Sequence, residues 1–354
     1  MRILYRMSGD ETKASSRVRG YWIASELGKL GHATSVAVCD GKADYLRVLT
    51  ILRNVDCVIF QKTFSRYDVW TAALALRMGK LVLTDIDDAP SRDRGAAVYR
   101  RAAALFRSSH AVMAGSEALV ELVDEIAGAG SGLAHHVPTA ICLGNYSVRP
   151  APAVQGETCI GWIGNGAQYA DDLIDILHEP LASLAERFPV RLKIVGACGD
   201  RRFHEAFSAL SDLKVELVDA IDWSDPKEVN AAICSFDIGV YPLSPGGFNE
   251  YKCAFKALEY MACGIPVVAS PVGANSRIVT DGITGYLARS TEDWEHAIEI
   301  LISDPDVRRA FGLAGRQIVE TRFTTKRVAE MVDDIIDTHT TGESRALMKR
   351  ADAG

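Results

Sequence analysis

The sequence predicts an α/β protein built on two doubly wound parallel sheets, and three observations carry this. First, ten short apolar runs alternate with amphipathic stretches: ILYRM, TSVAV, DCVIF, LVLTDI and AVMAG, then CIGWIG, RLKIVGA, KVELVDA, DIGVYPL and PVVAS. Continuous apolar strands separated by helical segments are what a parallel sheet covered on both faces requires. Second, the runs fall into two sets, and 354 residues exceed what one ordinary core organises. Third, the sets are separated by Val148–Glu157, VRPAPAVQGE, a proline-bearing stretch of low periodicity that reads as a linker. The domains expected are therefore 1–147 and 148–324, followed by a helix at about 325–340 and a tail, 342–354, whose weak pattern is expected to fray.

Composition narrows the function. Hydrophobic residues make up 48% and charged residues 24%, as in ordinary globular proteins. A net charge of −7 leaves no basic excess to neutralise a nucleic-acid backbone, so nucleic acid is not an expected partner. The eight cysteines are scattered, without a C-x-x-C pair or a nearby histidine. They are expected to be reduced and mostly buried, with no metal site. MRILYRMSGD lacks the apolar core of a signal peptide, and no run approaches the ~20 apolar residues of a membrane span. A cytoplasmic protein is the expectation. Walker A, G-x-S-x-G and an H-E-x-x-H helix are missing, as is G-x-G-x-x-G after the first strand, so P-loop, α/β-hydrolase, zincin and dinucleotide-dehydrogenase chemistry lack their marks.

In open α/β sheets, ligands bind beyond the carboxyl ends of the strands, so the residues after each run are the site candidates. After the first run, Ser15, Ser16, Arg17 and Arg19 open a helix, where a serine N-cap is the structural alternative. LVLTDI ends in Asp85-Ile86-Asp87-Asp88; carboxylates there suit a general base or a hydroxyl anchor, with a capping role as the alternative. CIGWIG leads into Gly164-Asn165-Gly166, a turn tight enough for backbone to approach a ligand. Asp171 and Asp172 are expected to begin the next helix. The loops Ala197–Asp200 and Asp219–Trp223, including Ile221, follow the next two runs.

The densest stretch is Phe248–Ala288. A helix is expected from about Tyr251, placing Lys252, Lys256 and Glu259 at i, i+4 and i+7 within one arc. Two ammonium groups beside the free N–H groups of a helix start suit a phosphate or diphosphate, and Glu259 suits a ribose hydroxyl pair. A solvated charge face is the alternative these three residues leave open.

The chain continues Glu259-Tyr260-Met261-Ala262-Cys263-Gly264-Ile265-Pro266-Val267-Val268-Ala269-Ser270, then Gly273 and Asp281-Gly282-Ile283-Thr284-Gly285-Tyr286-Leu287. This resembles the nucleotide-sugar-binding signature of family 4 glycosyltransferases of the GT-B fold. In that signature a Glu-x7-Glu pattern leads into E-x-M-A-C-G-x-P-V-V-A-S and then D-G-x-T-G-x-L. Here the first glutamate's register falls on Tyr251, with Glu250 one residue early. Lys252–Ala262 is similar to a branch that carries K-C-x-F-K-x-x-E-Y-M-A instead. The resemblance is strong over about 150–325 and loose over 1–150, where His136-Val137-Pro138-Thr139-Ala140-Ile141 is similar to the family's interdomain linker.

The resemblance implies two Rossmann-like domains facing a cleft, the first binding acceptor and the second the donor, with the last helix crossing back to the first. It implies retaining transfer from a nucleotide-diphosphate sugar to a hydroxyl acceptor, without a protein nucleophile. Lys252, Lys256, Glu250 and Asp88 are the catalytic candidates. Gly164, Asn165, Ile221, Asn249, Tyr251, Cys253, Ala254 and Glu259 are the donor-side candidates, and Arg17, Arg19 and Asp87 the acceptor-side ones. No cofactor is expected, and the lysines make a divalent metal dispensable. A GT-B epimerase or phosphorylase, a non-catalytic sugar-nucleotide binder, and peripheral membrane contact through the Arg17–Trp22 helix stay open. The sequence specifies neither the donor's base and sugar, nor the acceptor, nor the oligomeric state.

Overall fold

A computed structural model of the chain describes residues 1–39, 41–90, 95–128, 130–149 and 156–340. The expected frayed tail and residues 150–155 of the expected linker lie outside these. The chain divides into two compact units, Met1–Ala140 with Thr325–Gly354, and Ile141–Thr324. The first division falls at Ala140 rather than at 147, because the intervening residues are held by the second unit. Ile141 bridges to Thr324, the Tyr146 hydroxyl donates to Glu259, and the Arg149 N–H donates to the Cys263 carbonyl.

The first unit opens with β1 (Arg2–Met7), α1 (Ala14–Ser16), a π-helical turn (Arg17–Tyr21) and α2 (Trp22–Lys29). It continues through β2 (Ala33–Val38), α3 (Lys42–Leu52), β3 (Cys57–Gln61), α4 (Arg66–Arg77) and β4 (Leu81–Ile86). Then come α5 (Ala96–Arg107), β5 (Ala111–Ala114), α6 (Glu117–Ala127) and β6 (Ala134–His136). The second unit comprises β7 (Thr158–Ile163), α7 (Gly166–Arg187), β8 (Val190–Val195), α8 (Arg201–Phe207), β9 (Lys214–Val218), α9 (Pro226–Cys234) and β10 (Ile238–Tyr241). A 3₁₀ turn (Gly247–Tyr251) precedes α10 (Phe255–Ala262), followed by β11 (Val267–Ala269), α11 (Asn275–Ile278), β12 (Gly285–Leu287), α12 (Thr291–Ser303) and α13 (Pro305–Arg322). The final helix, α14 (Thr325–Thr340), belongs to the first unit.

All ten apolar runs are strands, and all pairings between strands are parallel. The orders are β2-β1-β3-β4-β5-β6 and β12-β11-β10-β7-β8-β9. Each order reverses direction once, between β1 and β3 in the first sheet and between β7 and β10 in the second. Those switch points are where adjacent loops diverge and leave a crevice. Helices cover both faces of the first sheet. Ile23, Ala24 and Leu27 of α2 and Val328, Ala329, Val332 and Ile336 of α14 pack on one face. Val48 and Leu52 of α3, Ala72 and Ala75 of α4, and Leu105 of α5 pack on the other. The buried positions of α14 recur every three to four residues, one stripe of an amphipathic helix.

Candidate functional site

The residues singled out in the second unit gather at the β7/β10 switch point. Gly164 leaves β7 with its N–H donating to the Val195 carbonyl, and Gly166 begins α7 with its N–H donating 2.7 Å to the Gly196 carbonyl. The two loops approach so closely that a Cβ on Gly166 would lie 2.6 Å from the Gly196 oxygen, and one on Gly196 would overlap the Gly164 oxygen. Glycine is required there by space, and backbone is thereby exposed at the strand ends. Asn165 is exposed and stands at the start of α7 without a side-chain bond to the helix, its Oδ1 accepting from Cys198 Sγ at 3.6 Å. Ile221 lies half-buried in the loop after β9.

The helix bearing the lysines starts later than the charge spacing suggests. Gly247–Tyr251 is a 3₁₀ turn, Lys252 is extended, Ala254 adopts the left-handed conformation at φ 54, and α10 begins at Phe255. Lys252 therefore lies outside the helix, and the expected i, i+4, i+7 arc does not form. The two ammonium groups converge by another route. Lys252 Nζ sits 4.2 Å from the centre of the Phe248 ring and 5.3 Å from that of Tyr169. Lys256 Nζ sits 4.0 Å from Tyr169, 4.9 Å from Tyr241 and 5.1 Å from Trp162. One aromatic ring on α7 thus gathers both cations. A Cβ at Gly164 would lie 2.5 Å from Lys256 Cε and 3.1 Å from its Nζ, so this lysine reaches the turn after β7.

The Lys256 side chain is only partly buried by area, yet its tip lies among these rings. Burial pushes its pKa below the ordinary lysine value; Lys252 pushes the same way, and Tyr169 and Glu259 oppose. Among the described residues no carboxylate forms an ion pair with it. The first N–H groups of α10 have no intrahelical partner, so the charge and the helix dipole point to an anion.

Glu259 is 7% exposed, and its Oε1 accepts a 2.8 Å hydrogen bond from Tyr146. Asn249 is committed to the protein: its Nδ2 donates to Asp172 Oδ2 and to the Ser244 carbonyl. The Glu250 Oε1 accepts from the Gly246 N–H at 2.7 Å, folding the carboxylate back on its own loop. Tyr251 is half-buried at the end of the 3₁₀ turn, while Cys253 and Ala254 are buried. Asp171 and Asp172 do not start α7, which begins at Gly166. Asp171 pairs with Arg202 at 2.6 Å, and Asp172 accepts from both the Ser244 N–H and Asn249. Asp172 thus anchors the loop that delivers Lys252, with two hydrogen bonds of the charge-assisted kind. Asp172→Ala is expected to weaken anion affinity several-fold and lower stability by about 1.5–3 kcal/mol, read by urea unfolding with and without ligand.

In the first unit the structure separates residues grouped by sequence. Arg19 is 5% exposed, and its Nη2 lies 2.6 Å from Asp85 Oδ1, its Nη1 3.0 Å from the Val137 carbonyl. It therefore braces the fold rather than meeting an acceptor. Burial raises the Asp85 pKa despite Arg19 pulling it down. Arg17 donates to the Glu11 and Thr12 carbonyls. With Val18, Arg19 and Gly20 buried, the Arg17–Trp22 segment presents no basic face to a membrane. Asp87 and Asp88 meet Lys62, which holds a positive φ of 49 after β3 and pairs with both. The two carboxylates raise the Lys62 pKa against the effect of burial. Lys13 approaches the same carboxyl edge through Ser8.

Tyr169, Tyr241, Trp162 and Tyr146 were not legible as site residues in sequence. Trp162 and Tyr241 sit in apolar runs that account for them as core, and no local spacing ties Tyr146 or Tyr169 to the lysines. Among the described residues there is no group of His, Cys, Asp and Glu side chains able to hold a metal, and no helix long and apolar enough to cross a membrane.

Residues 157–304 match the family described as Glycosyl transferases group 1. A D-inositol 3-phosphate glycosyltransferase of Corynebacterium aurimucosum is 35% identical over 148 residues, 40% of this chain and 34% of that protein. An alpha-maltose-1-phosphate synthase of Mycolicibacterium smegmatis is 41% identical over 86 residues, 22% of each. The alignments thus span about a third or less of these relatives' length. HepE of Anabaena, solved in complex with UDP, superposes with a TM-score of 0.75 at 15% identity, over 96% of this chain and 100% of that one. The architecture is GT-B, two Rossmann-like units each built on a six-stranded parallel sheet.

Proposed function

We propose that the chain is a glycosyltransferase that moves a sugar from a nucleoside-diphosphate sugar to a hydroxyl acceptor. The observation that carries this is Lys256: a cation without an ion-pair partner among the described residues, set in aromatic rings beside the start of α10 and the Gly164 turn. The group 1 match spans this site, and the similar proteins are named as sugar transferases or were solved with UDP. The K-C-x-F-K-x-x-E-Y-M-A run at Lys252–Ala262 supports assignment to that branch of family 4, and retention of anomeric configuration goes with it.

In this reading the second unit holds the donor. When the bond between the anomeric carbon and the diphosphate oxygen breaks, negative charge builds on the leaving diphosphate. Lys252, Lys256 and the first N–H groups of α10 supply a field already in place, so little reorganisation is needed in the transition state. A divalent metal is dispensable to this work. Glu259, oriented by Tyr146, binds the ribose hydroxyls, and the Gly164–Gly166 and Ala197–Asp200 backbones frame the nucleoside. Glu250 and Asn249 shape the loop that sets Lys252. In the first unit, Asp88, with Asp87 and Lys62, takes the acceptor hydroxyl.

A thermal-shift screen against UDP-, GDP-, dTDP- and ADP-sugars tests the proposal. A donor at 100 times its Kd adds about 2.7 kcal/mol, or roughly 5–10 °C for a unit of this size. One nucleotide series is expected to shift the protein, followed by slow donor hydrolysis. No shift with any donor, in protein shown to be folded, would overturn the proposal; binding without hydrolysis or transfer would reduce it to a binder.

A further inference from the structure

Two of the eight cysteines meet in the second unit. Cys234 is the last residue of α9, and Cys263 is the residue that ends α10. Both sulfurs reach one acceptor: Cys234 Sγ lies 3.6 Å from Asn230 Oδ1 and Cys263 Sγ 3.5 Å from it. The two side chains also hydrogen-bond to each other, and both are thiols. Cys234 is half-buried and Cys263 fully buried, so a small solute can meet the first, while the second is open only to its neighbours.

Their surroundings differ from those of the core thiols. Burial pushes the Cys57 and Cys159 thiols up, as apolar packing does. At Cys234 the sign is reversed. The hydrogen bond from Cys263 holds its pKa below the ordinary thiol value against burial, and Ser147 and the Arg149 guanidinium add to this. The Cys263 thiol is pushed up by the same hydrogen bond and then by burial, with Glu259 acting in the same sense and Arg316 against it. A thiolate reachable from one side, with a protonated thiol held against it on the other, is the arrangement of an oxidisable sulfur and its resolving partner.

We infer that Cys234 and Cys263 form a modification site for hydrogen peroxide that closes to an intrachain disulfide. The Cys234 thiolate attacks one peroxide oxygen and becomes a sulfenic acid; the O–O bond breaks, and the other oxygen takes up a proton and leaves as water. The Cys263 sulfur then attacks the Cys234 sulfur. The S–O bond breaks, the S–S bond forms, and the oxygen leaves as a second water with the Cys263 proton. Two thiols give up two electrons, and one peroxide is reduced to two waters. The effect extends along the chain to the candidate donor site. Cys234 Sγ lies 3.6 Å from the Ser147 carbonyl, while the Ser147 N–H donates to Asn230 Oδ1 at 3.0 Å and its Oγ accepts from Asn230 Nδ2 at 2.9 Å. Drawing the sulfurs to a bond length of about 2 Å withdraws both from Asn230 and one from Ser147. Ser147 adjoins Tyr146, whose hydroxyl orients Glu259, and the Cys263 N–H donates to the Glu259 carbonyl. Oxidation therefore loosens the Tyr146–Glu259 bond, a consequence that, unlike the disulfide itself, rests on the donor reading of Glu259.

Treating the full chain with hydrogen peroxide at neutral pH, followed by digestion without reductant, tests this. Mass mapping is expected to show the Cys234 and Cys263 peptides joined, two hydrogens lighter than the reduced pair and separated by dithiothreitol. In Cys263→Ala the reaction should stop at a Cys234 sulfenic acid that dimedone traps, and in Cys234→Ser the buried Cys263 should stay unmodified. The pH of half-maximal alkylation of Cys234 by iodoacetamide should lie below the ordinary thiol value of about 8.5 and return toward it in Cys263→Ala. Whichever of the UDP-, GDP-, dTDP- and ADP-sugars binds should bind the oxidised wild type about 5–10-fold more weakly, and Cys263→Ala should show no such response to peroxide. No Cys234–Cys263 cross-link in folded wild-type protein would overturn the inference, whatever the variants do. So would an alkylation midpoint at the ordinary value in both proteins. A cross-link that leaves sugar-nucleotide affinity unchanged would sever the coupling to Glu259, and a cross-linked protein that in its reduced form binds none of the four would count against the donor reading alone.

Discussion

Lys256→Ala is expected to lower turnover by about 10²–10³ and to erase donor-induced stabilisation. The loss is large because the ammonium is a preorganised charge: three rings and the Gly164 turn hold it in place, and in the proposed reaction nothing must reorient as charge develops on the leaving diphosphate. The effect on the unliganded protein has the opposite sign. Burial holds the folded-state pKa of Lys256 below its unfolded value, so the unfolded chain binds the proton more tightly. Stability of the unliganded protein therefore rises with pH between the lowered pKa and about 10.5. At neutral pH the charged lysine works against the fold. Lys256→Met should leave the unliganded midpoint unchanged or higher while abolishing the donor shift, as expected of a site kept for function at a cost in stability. Donor affinity in the wild type should decline as alkaline pH passes the lowered pKa, and Lys256→Arg should move that decline upward. Urea midpoints and donor titrations across pH report both signs. A Lys256→Met protein that is destabilised yet still shifts with donor would show the side chain to be structural.

Arg19→Met is expected to destabilise the first unit by about 3–5 kcal/mol, because it strands the Asp85 carboxylate in the core. The guanidinium is 5% exposed and engages both Asp85 and the Val137 carbonyl, so its removal leaves an uncompensated charge and an unpaired acceptor. Burial already raises the Asp85 pKa in the wild type. Without Arg19 it rises further, and the variant should be less unstable near pH 5 than near pH 8, since a raised folded-state pKa favours the protonated, low-pH form. Arg19→Met with Asp85→Leu should recover much of the loss, because replacing a whole buried pair costs less than breaking it. Guanidinium unfolding of the two variants at both pH values measures this. Full stability with lost turnover in Arg19→Met would return Arg19 to the acceptor side.

How far the sequence could be read depended on the range of the interactions involved. Most of the ten strands were legible because a strand buried on both faces shows its apolar run locally; the edge strands β2 and β9, less buried, were legible from their apolar β-branched composition. Strands β6 and β12 were not: each has three residues at a sheet edge, too few to display a period. The 140/141 division was misplaced because proline composition marks where a chain bends, whereas the unit boundary is set by which side residues 141–149 bond to.

The charge spacing of Lys252, Lys256 and Glu259 predicted one arc of a single helix, which the structure does not form. It assumed one continuous helix, and the left-handed Ala254 breaks it. Sequence by itself determined the fold class and the similarity of residues 157–304 to group 1 glycosyl transferases, since these are carried by local pattern and by motif. Tertiary structure alone decided that Tyr169 gathers both ammonium groups and that Asp172 holds the loop. It alone decided that Arg19 is spent on Asp85 and that Cys234 and Cys263 share Asn230. Those outcomes are contacts between residues distant in the chain, and a side chain's partner is set by where the packed backbone delivers it, which no local spacing records.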